Sequence, residues 1–245
     1  MSALSGLREA FGWLTVLPVR PEGDSDPVPW FSWIGGVVGA VGAGVAFSVS
    51  RAARGDLGCL LAGVSLVAAW ATVTGMLHLD GLADAADARA AGRDRERRLA
   101  IMRDSRIGSY GAATLVLTLM LQAAAGAVVV SHAQWWTIVW ASIAARFGGS
   151  VALCTLAPAR RDGLAVRLAS RRPIPVLVAG AIPVAALAVV LSGHDPLALI
   201  VGLAAALAVP RALARPVGGI TGDLIGAGIV LTETATLLAS ALAGR

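Results

Sequence analysis

The sequence predicts an all-α protein, a polytopic membrane helix bundle of about seven transmembrane helices plus an N-terminal interfacial helix. Of its 245 residues, 57% are hydrophobic and only 14% are charged, whereas a soluble globular domain has roughly 25% charged residues. Several apolar runs also reach the length of about 20 residues that crosses a bilayer. This composition excludes a disordered chain and a nucleic-acid-binding domain with a broad basic face. We therefore expect the lipid bilayer, and no nucleic acid, as a partner.

The first element is an amphipathic helix within residues 1–19. Its apolar side chains recur at helical spacing, with Arg8 and Glu9 beside them: Leu4, Leu7, Phe11, Leu14 and either Val16 or Leu17. No basic n-region or clear cleavage site marks it as a signal peptide. We expect this helix to lie on the membrane surface. The alternative is a leader without fixed structure.

Seven apolar segments follow in one domain that covers residues 1–245. They are residues 31–50, 57–79, 112–130, 135–156, 174–191, 197–209 and 225–243. The sixth is short, and we expect it to continue to about residue 214 with Pro210 as a kink. Two segments carry one charge each, Arg146 and Glu233.

The arginines predict the orientation of the bundle. All 20 basic residues are arginine, and the connections on alternate sides of the predicted membrane hold 16 and 3 of them, with Arg146 inside a segment. Arg20, Arg171 and Arg172 are among the 16 arginines of the first side, and Arg245 is the last of the three on the other side. Because positive charge collects on the cytoplasmic side, we expect a multi-pass cell-membrane protein whose N-terminus and three longer loops are cytoplasmic.

Three carboxylates at residues 80, 84 and 87 form the first candidate site. Spacing of i, i+4 and i+7 places Asp80, Asp84 and Asp87 on one face of a helix. A divalent cation would offset their repulsion, and oxygen ligands without a His or Cys cluster favour Mg²⁺ or Mn²⁺. Alternatively, they cap a following helix at 82–91 and pair with arginines. His78 is a weaker candidate for a catalytic base.

A second candidate element, residues 101–111, follows in the same loop. Arg103 and Arg106 can grip phosphate oxygens, Ser105 adds a hydroxyl, and Asp104 adds a metal ligand if the loop folds back on the acidic helix. Glycines at 108 and 111 let the backbone approach a ligand closely. The segment therefore predicts a diphosphate cradle, although a polar turn before a spanning helix has a similar composition.

Two further sites complete the candidates. Thr221 and Asp223 precede the last segment, where they either cap a helix or bind substrate. Charges inside a membrane are costly and indicate a function or a partner. Arg146 and Glu233 therefore either pair with each other or leave Arg146 to bind phosphate in a polar cavity.

These residues together indicate metal-assisted transfer of a group from an anionic, diphosphate-like substrate. The absence of lysine from the sequence excludes P-loop and Schiff-base lysines. Both cysteines, Cys59 and Cys154, lie within apolar runs, so neither a disulfide framework nor a cysteine zinc site is expected.

Two motifs resemble the adenosylcobinamide-GDP ribazoletransferase family, the integral-membrane cobalamin synthases of bacteria and archaea. They are Thr-Gly-x-Leu-His-x-Asp-Gly-Leu-Ala-Asp-x-x-Asp at 74–87 and Ile-Met-Arg-Asp-Ser-Arg-Ile-Gly-Ser-Tyr-Gly at 101–111. The Thr-Gly-Asp at 221–223 and the order of apolar segments also match. One departure is Ala88, where the family often has glycine.

The resemblance implies a Mg²⁺-dependent transfer from adenosylcobinamide-GDP to α-ribazole or its 5′-phosphate, with release of GMP. Asp80, Asp84, Asp87 and Asp104 would hold the metal, and Arg103 and Arg106 would neutralise phosphate oxygens. Asp104 and His78 are candidates to accept the hydroxyl proton. A homo-oligomer is compatible with the sequence.

Three other functions stay open on the residues alone. A membrane phosphotransferase of the CDP-alcohol type shares an Asp-Gly-x-x start, but Asp84-Ala85 stands where that family has Ala-Arg. A prenyltransferase would need a second acidic motif, which is absent. A small-solute permease would use Arg146 and Glu233 to line a path, but most acids lie in one loop.

Overall fold

Eleven α-helices make up nearly all of the structure, a computed structural model that describes residues 3–19, 25–169 and 173–244. They are α1 Ala3–Leu14, α2 Phe31–Ala52, α3 Gly55–Val73, α4 Leu77–Ala90, α5 Arg95–Ile101, α6 Ser109–Ser131, α7 Trp135–Thr155, α8 Leu164–Leu168, α9 Pro173–Ser192, α10 Pro196–Ala214 and α11 Gly222–Ala243. Short 3₁₀ turns at Val28–Trp30 and Arg215–Val217 precede α2 and follow α10. The described residues contain no β-strand, which confirms the predicted all-α class.

Seven helices in the described ranges are long and apolar enough to cross a membrane, as the sequence predicts. These segments are Val28–Ala52, Gly55–Val73, Ser109–Ser131, Trp135–Thr155, Pro173–Ser192, Pro196–Val217 and Gly222–Ala243. The uncertain sixth segment forms α10, which ends at Ala214 and contains Pro210.

The predicted span at 57–79 is wrong at its C-terminal end. The helix α3 stops at Val73, and Gly75 and Met76 follow with φ of +59° and +60°. Two successive left-handed residues cannot continue a right-handed helix, so the chain turns and α4 begins at Leu77. The acidic residues therefore lie on a separate helix, which begins before the cap helix foreseen at 82–91.

The centre of the bundle consists of α7 and α11. In their most apolar stretches, 83% and 78% of the residues are buried, against 28–33% in α3, α6, α9 and α10. Close packing with α2 depends on small residues, since a Cβ at Gly35 would lie 2.5 Å from the Ser142 carbonyl oxygen. The outer helices accordingly present most of their apolar surface outward, as expected for helices in lipid.

The N-terminal segment is a helix, as predicted, and α1 packs on the bundle. Its Ala10 and Leu14 are buried, whereas Leu4 is 75% exposed. A Glu9 carboxylate oxygen accepts a hydrogen bond from the Ser25 backbone N–H at 3.1 Å. Its position at a membrane surface stays a prediction. Of the arginines counted for orientation, Arg20, Arg171, Arg172 and Arg245 lie outside the described residues.

The connections before α2, α6, α9 and α11 meet at one end of the bundle. The Val16 N–H donates to the Val73 carbonyl at 2.9 Å. Arg95 of α5 donates to the carbonyls of Val217 and Ala159, both at 2.8 Å. A parallel bridge joins Pro158 to Ile220. These contacts bring the candidate residues of two connections, those before α6 and before α11, into one region.

Candidate active site

The acidic helix α4 packs between α6 and α11. Its contact with α11 is close because Gly81 lacks a side chain: a Cβ there would lie 2.5 Å from the Asp223 carbonyl oxygen. One turn along α11, Gly226 faces the backbone of His78. This glycine contact brings Asp80 of α4 next to Asp223 of α11.

A cavity of about 670 Å³ opens beside Asp80 and Asp84. Both carboxylates line it together with Ser105, and the remaining lining residues are apolar. They come from α3, α4, the turn between them, α6 and the loop before α6. The predicted acidic pair and the predicted loop hydroxyl therefore share one site, open to an apolar surface on one side.

A second cavity, of about 270 Å³, lies on the other side of α4. Asp80, His78 and Asp223 line its polar part, and Trp13 and Phe31 are among its apolar lining residues. Asp80 belongs to both cavities and so stands between them.

The carboxyl group of Asp84 is strongly affected by its surroundings. Partial burial, followed by the negative charges of Asp80, Asp223 and Asp87, raises its pKa to about 7, against the opposing effect of Arg160. Carboxyl groups whose pKa is raised by burial and by neighbouring acids cluster at functional sites.

The residues that could hold a metal are fewer than the sequence suggests. Across the described ranges, no three His, Cys, Asp or Glu side chains come together as a metal-binding group. Neither the Asp80 nor the Asp84 carboxylate forms a hydrogen bond or ion pair with another described residue. Two such carboxylates fit Mg²⁺, which commonly uses one or two protein carboxylates, with waters and substrate phosphates as its other ligands.

Asp87 has a structural contact that the sequence does not reveal. Its two carboxylate oxygens accept hydrogen bonds from the backbone N–H groups of Gly108 at 2.7 Å and Gly111 at 2.8 Å. These groups lie at the start of α6, where helical N–H groups lack partners. Asp87 therefore fixes the beginning of α6 against α4.

The predicted diphosphate cradle is only partly assembled. Ser105 lines the large cavity, but Arg103 pairs with Asp162 at 2.7 Å and Arg106 with Asp104 at 2.6 Å. Hydrogen bonds from Arg106 lower the pKa of Asp104 to about 2. A metal-binding or catalytic role for Asp104 would require this ion pair to open, and it stays a prediction.

Thr221 caps a helix, one of the two alternatives foreseen, whereas substrate binding by Thr221 or Asp223 stays a prediction. The Thr221 hydroxyl accepts from the Leu224 N–H at 3.2 Å and so caps α11, while Asp223 lines the smaller cavity. The side chain of Arg160 approaches Asp223 at 3.5 Å. Sequence reasoning missed Arg160, because nothing distinguishes it from the other arginines of its loop; the bridge between Pro158 and Ile220 places it here.

Arg146 and Glu233 form the buried pair that was one of the two alternatives. Their side chains meet at 2.6 Å, and the Ser142 hydroxyl donates to the same Glu233 oxygen at 3.0 Å. With His78, they line a cavity of only about 20 Å³, room for about one water molecule. A phosphate does not fit there, so the geometry supports the structural role of Arg146.

His78 is poorly suited to take a proton. Burial, followed by the charge of Arg146, lowers its pKa to about 3, so the imidazole is neutral and a weak base at neutral pH. Its Nε2 has no hydrogen-bond partner in the part of the chain that the structure describes.

Comparisons with known proteins cover almost the whole chain. The profile of the cobalamin-5-phosphate synthase family matches residues 6–241. Among curated relatives, a Bradyrhizobium diazoefficiens protein is 34% identical over 98% of this chain and 94% of its own. Proteins from Pseudomonas aeruginosa and Pseudomonas paraeruginosa are 36% and 39% identical, each over 98% of this chain and 99% of their own. All three are named adenosylcobinamide-GDP ribazoletransferase. No solved structure matches the chain.

Proposed function

Because the chain belongs to the cobalamin-5-phosphate synthase family, we propose that it catalyses the adenosylcobinamide-GDP ribazoletransferase reaction of cobalamin biosynthesis. The observation that carries this proposal at the site is a pair of carboxylates, Asp80 and Asp84, at the polar end of a large, mostly apolar cavity. Neither has a hydrogen-bond or ion-pair partner among the described residues. Through a cation, the two carboxylates could hold an anionic diphosphate, and the apolar cavity could take a bulky organic group.

The reaction is a substitution at phosphorus. A ribose hydroxyl of α-ribazole, or of its 5′-phosphate, forms a bond to the phosphorus nearer cobinamide, and the bond from that phosphorus to the bridging oxygen breaks. GMP leaves with the electron pair, and the hydroxyl proton passes to a base or to water. The products are adenosylcobalamin, or its 5′-phosphate, and GMP.

Asp80 and Asp84 would hold Mg²⁺ at this site. When bound, the ion would neutralise the diphosphate and stabilise the charge that develops on the leaving phosphate. Two carboxylates leave coordination positions for phosphate oxygens, so the same residues that attract the ion also orient the diphosphate.

Other side chains of the site supply hydrogen bonds and charge. Ser105 lines the cavity beside the carboxylates and can donate to a phosphate oxygen. Arg160 brings positive charge to the acidic end through its contact with Asp223. Arg103 and Arg106 could reach the diphosphate only after leaving Asp162 and Asp104.

The protein is a multi-pass membrane protein by its seven apolar helices and its family. We place the N-terminus and the end that carries Asp80 in the cytoplasm, because the connections there contain 16 of the 20 arginines. Water-soluble nucleotide substrates would then reach the site from the cytoplasm.

The test uses the purified full-length chain in liposomes, supplied with adenosylcobinamide-GDP, α-ribazole and Mg²⁺. We expect GMP and a cobalamin product to form in equal amounts, and neither to form when α-ribazole is omitted. Transfer of phosphate from a CDP-alcohol to a second alcohol, without GMP release, would contradict the proposal.

A further inference from the structure

The cavity of about 270 Å³ on the α11 side of Asp80 is distinct from the large cavity beside Asp84. It is closed by two helices that do not span the membrane, α1 and α8, together with α2, α4 and α11. Its lining residues include Trp13, Phe31, Leu164, Leu168, Asp80 and Asp223. Its volume approaches the lower end of small-molecule sites, roughly 300 Å³, and is far too small for a corrinoid.

The apolar and the acidic lining residues of this cavity lie in different parts of it. Two aromatic side chains, Trp13 of α1 and Phe31 of α2, and two leucines of α8 form its apolar part. Carboxylates lie only at the α4–α11 contact, where Asp80 and Asp223 meet. A ligand with a flat apolar ring and several hydroxyl groups would fit such a lining. Aromatic side chains stack on bases, and carboxylates accept hydrogen bonds from hydroxyl groups.

We propose that this smaller cavity binds the nucleoside substrate, with its base among Trp13, Phe31 and the α8 leucines and its ribose towards Asp80 and Asp223. The inference rests on the proposed function and adds where the second substrate binds. The two reactants then approach Asp80 from opposite sides of α4, with the diphosphate in the large cavity.

Continuity with the acidic site favours a substrate over a lipid as the occupant. Asp80 lines both cavities, so a hydroxyl held in the smaller one points to the carboxylate that also faces the diphosphate. A lipid chain would gain nothing from two carboxylates at its end. The large cavity, by contrast, has no aromatic lining residue.

The test compares two substitutions in this cavity with two matched controls, in the full-length protein in lipid nanodiscs. Leu164→Trp fills the cavity, and Leu115→Trp adds the same bulk to the large cavity. Trp13→Ala removes an aromatic wall, and Trp136→Ala removes a tryptophan that is 56% exposed on α7. Two readouts are used: steady-state GMP release with each substrate varied in turn, and α-ribazole binding by equilibrium dialysis without Mg²⁺.

We expect Trp13→Ala to raise the KM and the dissociation constant for α-ribazole about tenfold, the effect of losing one stacking contact. Leu164→Trp should raise both at least as much, because the larger side chain occupies the space of the base. The KM for adenosylcobinamide-GDP should stay within about twofold, and both controls should keep the wild-type KM for α-ribazole.

Unchanged α-ribazole binding in Leu164→Trp protein would overturn the inference. The smaller cavity would then hold a lipid or remain empty. Weaker α-ribazole binding in Leu115→Trp protein alone would also overturn it, in favour of the large cavity. Failure of the proposed function is distinguishable, because the wild-type protein would then release no GMP in any arm.

Discussion

Two aspartates on the same face of α4 differ sharply in what their carboxylates do. Asp87 accepts two backbone hydrogen bonds at the start of α6, whereas Asp80 faces two cavities without such a partner in the described residues. Helical spacing predicts the shared face of Asp80, Asp84 and Asp87 correctly. It cannot predict which carboxylate a distant backbone will use, because that contact depends on where residues 108–111 pack.

Asp87→Ala should destabilise the protein, and Asp80→Ala should not. Loss of the Asp87 carboxylate leaves two helix N–H groups without partners, at about 1–3 kcal/mol each. Loss of Asp80 removes repulsion near Asp84 and leaves no hydrogen bond broken. Thermal unfolding in detergent measures the difference, and an Asp87→Ala protein as stable as wild type would show that this contact is not formed.

The affinity for Mg²⁺ should depend on pH through Asp84. Its pKa of about 7 lies above the usual value, so the group is mostly neutral below pH 7 and ionised above it, and a proton competes with the metal. At pH 6 the apparent affinity should be about tenfold lower than its plateau above pH 8. The Mg²⁺ concentration for half-maximal GMP release, measured from pH 6 to 8.5, tests this; a flat profile would exclude Asp84 as a ligand with a raised pKa.

At the scale of elements, the spans were largely predictable and the site helix was not. Long uncharged runs gave the number and approximate ends of the seven apolar helices. The break between α3 and α4 was hidden because residues 74–79 continue the uncharged run of the preceding helix, and only Gly75 marks the turn. The α4–α11 contact at Gly81 was equally hidden, since a glycine in sequence does not say which helix will approach it.

Gly81→Ala should impair activity more than an ordinary glycine substitution in the bundle. A Cβ at residue 81 would lie 2.5 Å from the Asp223 carbonyl oxygen, so α4 must move away from α11. We expect a loss of about 1–3 kcal/mol in stability and a marked fall in GMP release, because Asp80 and Asp223 separate. Gly36→Ala is the control, because its Cβ would lie 3.7 Å from Ile143 Cδ1, an ordinary contact. Equal activity in the two variants would contradict the importance of this contact.

At the scale of the whole molecule, the site lies where the connections from several helices meet at one end of the bundle. The cytoplasmic orientation proposed for that end rests on the arginine distribution alone. At the centre of the bundle, Arg146 and Glu233 form a buried ion pair with each other, and the cavity beside them measures only about 20 Å³. The structure therefore favours a transferase with its chemistry at one face over a permease that uses this pair to line a path.

Labelling of single cysteines in intact cells tests the orientation. The native cysteines, Cys59 and Cys154, are first replaced by alanine. A cysteine introduced between residues 131 and 134 should react with an impermeant maleimide from outside, because this connection lies at the end opposite the site. Cysteines at 93 or 162 should react only after the cells are opened. The reverse pattern would place the acidic site outside the cytoplasm.

The decisive measurement is GMP release by the wild-type and Asp80→Asn proteins, with Mg²⁺ and with EDTA. Asp80→Asn removes a charge but little volume, so the protein should insert and fold normally. We expect the wild-type protein to release GMP with Mg²⁺ and to stop in EDTA, and the variant to be about 10²–10³ times slower, the effect of losing one electrostatic stabiliser. Full wild-type activity in EDTA, or wild-type rates in Asp80→Asn, would contradict a metal-assisted transfer centred on this carboxylate.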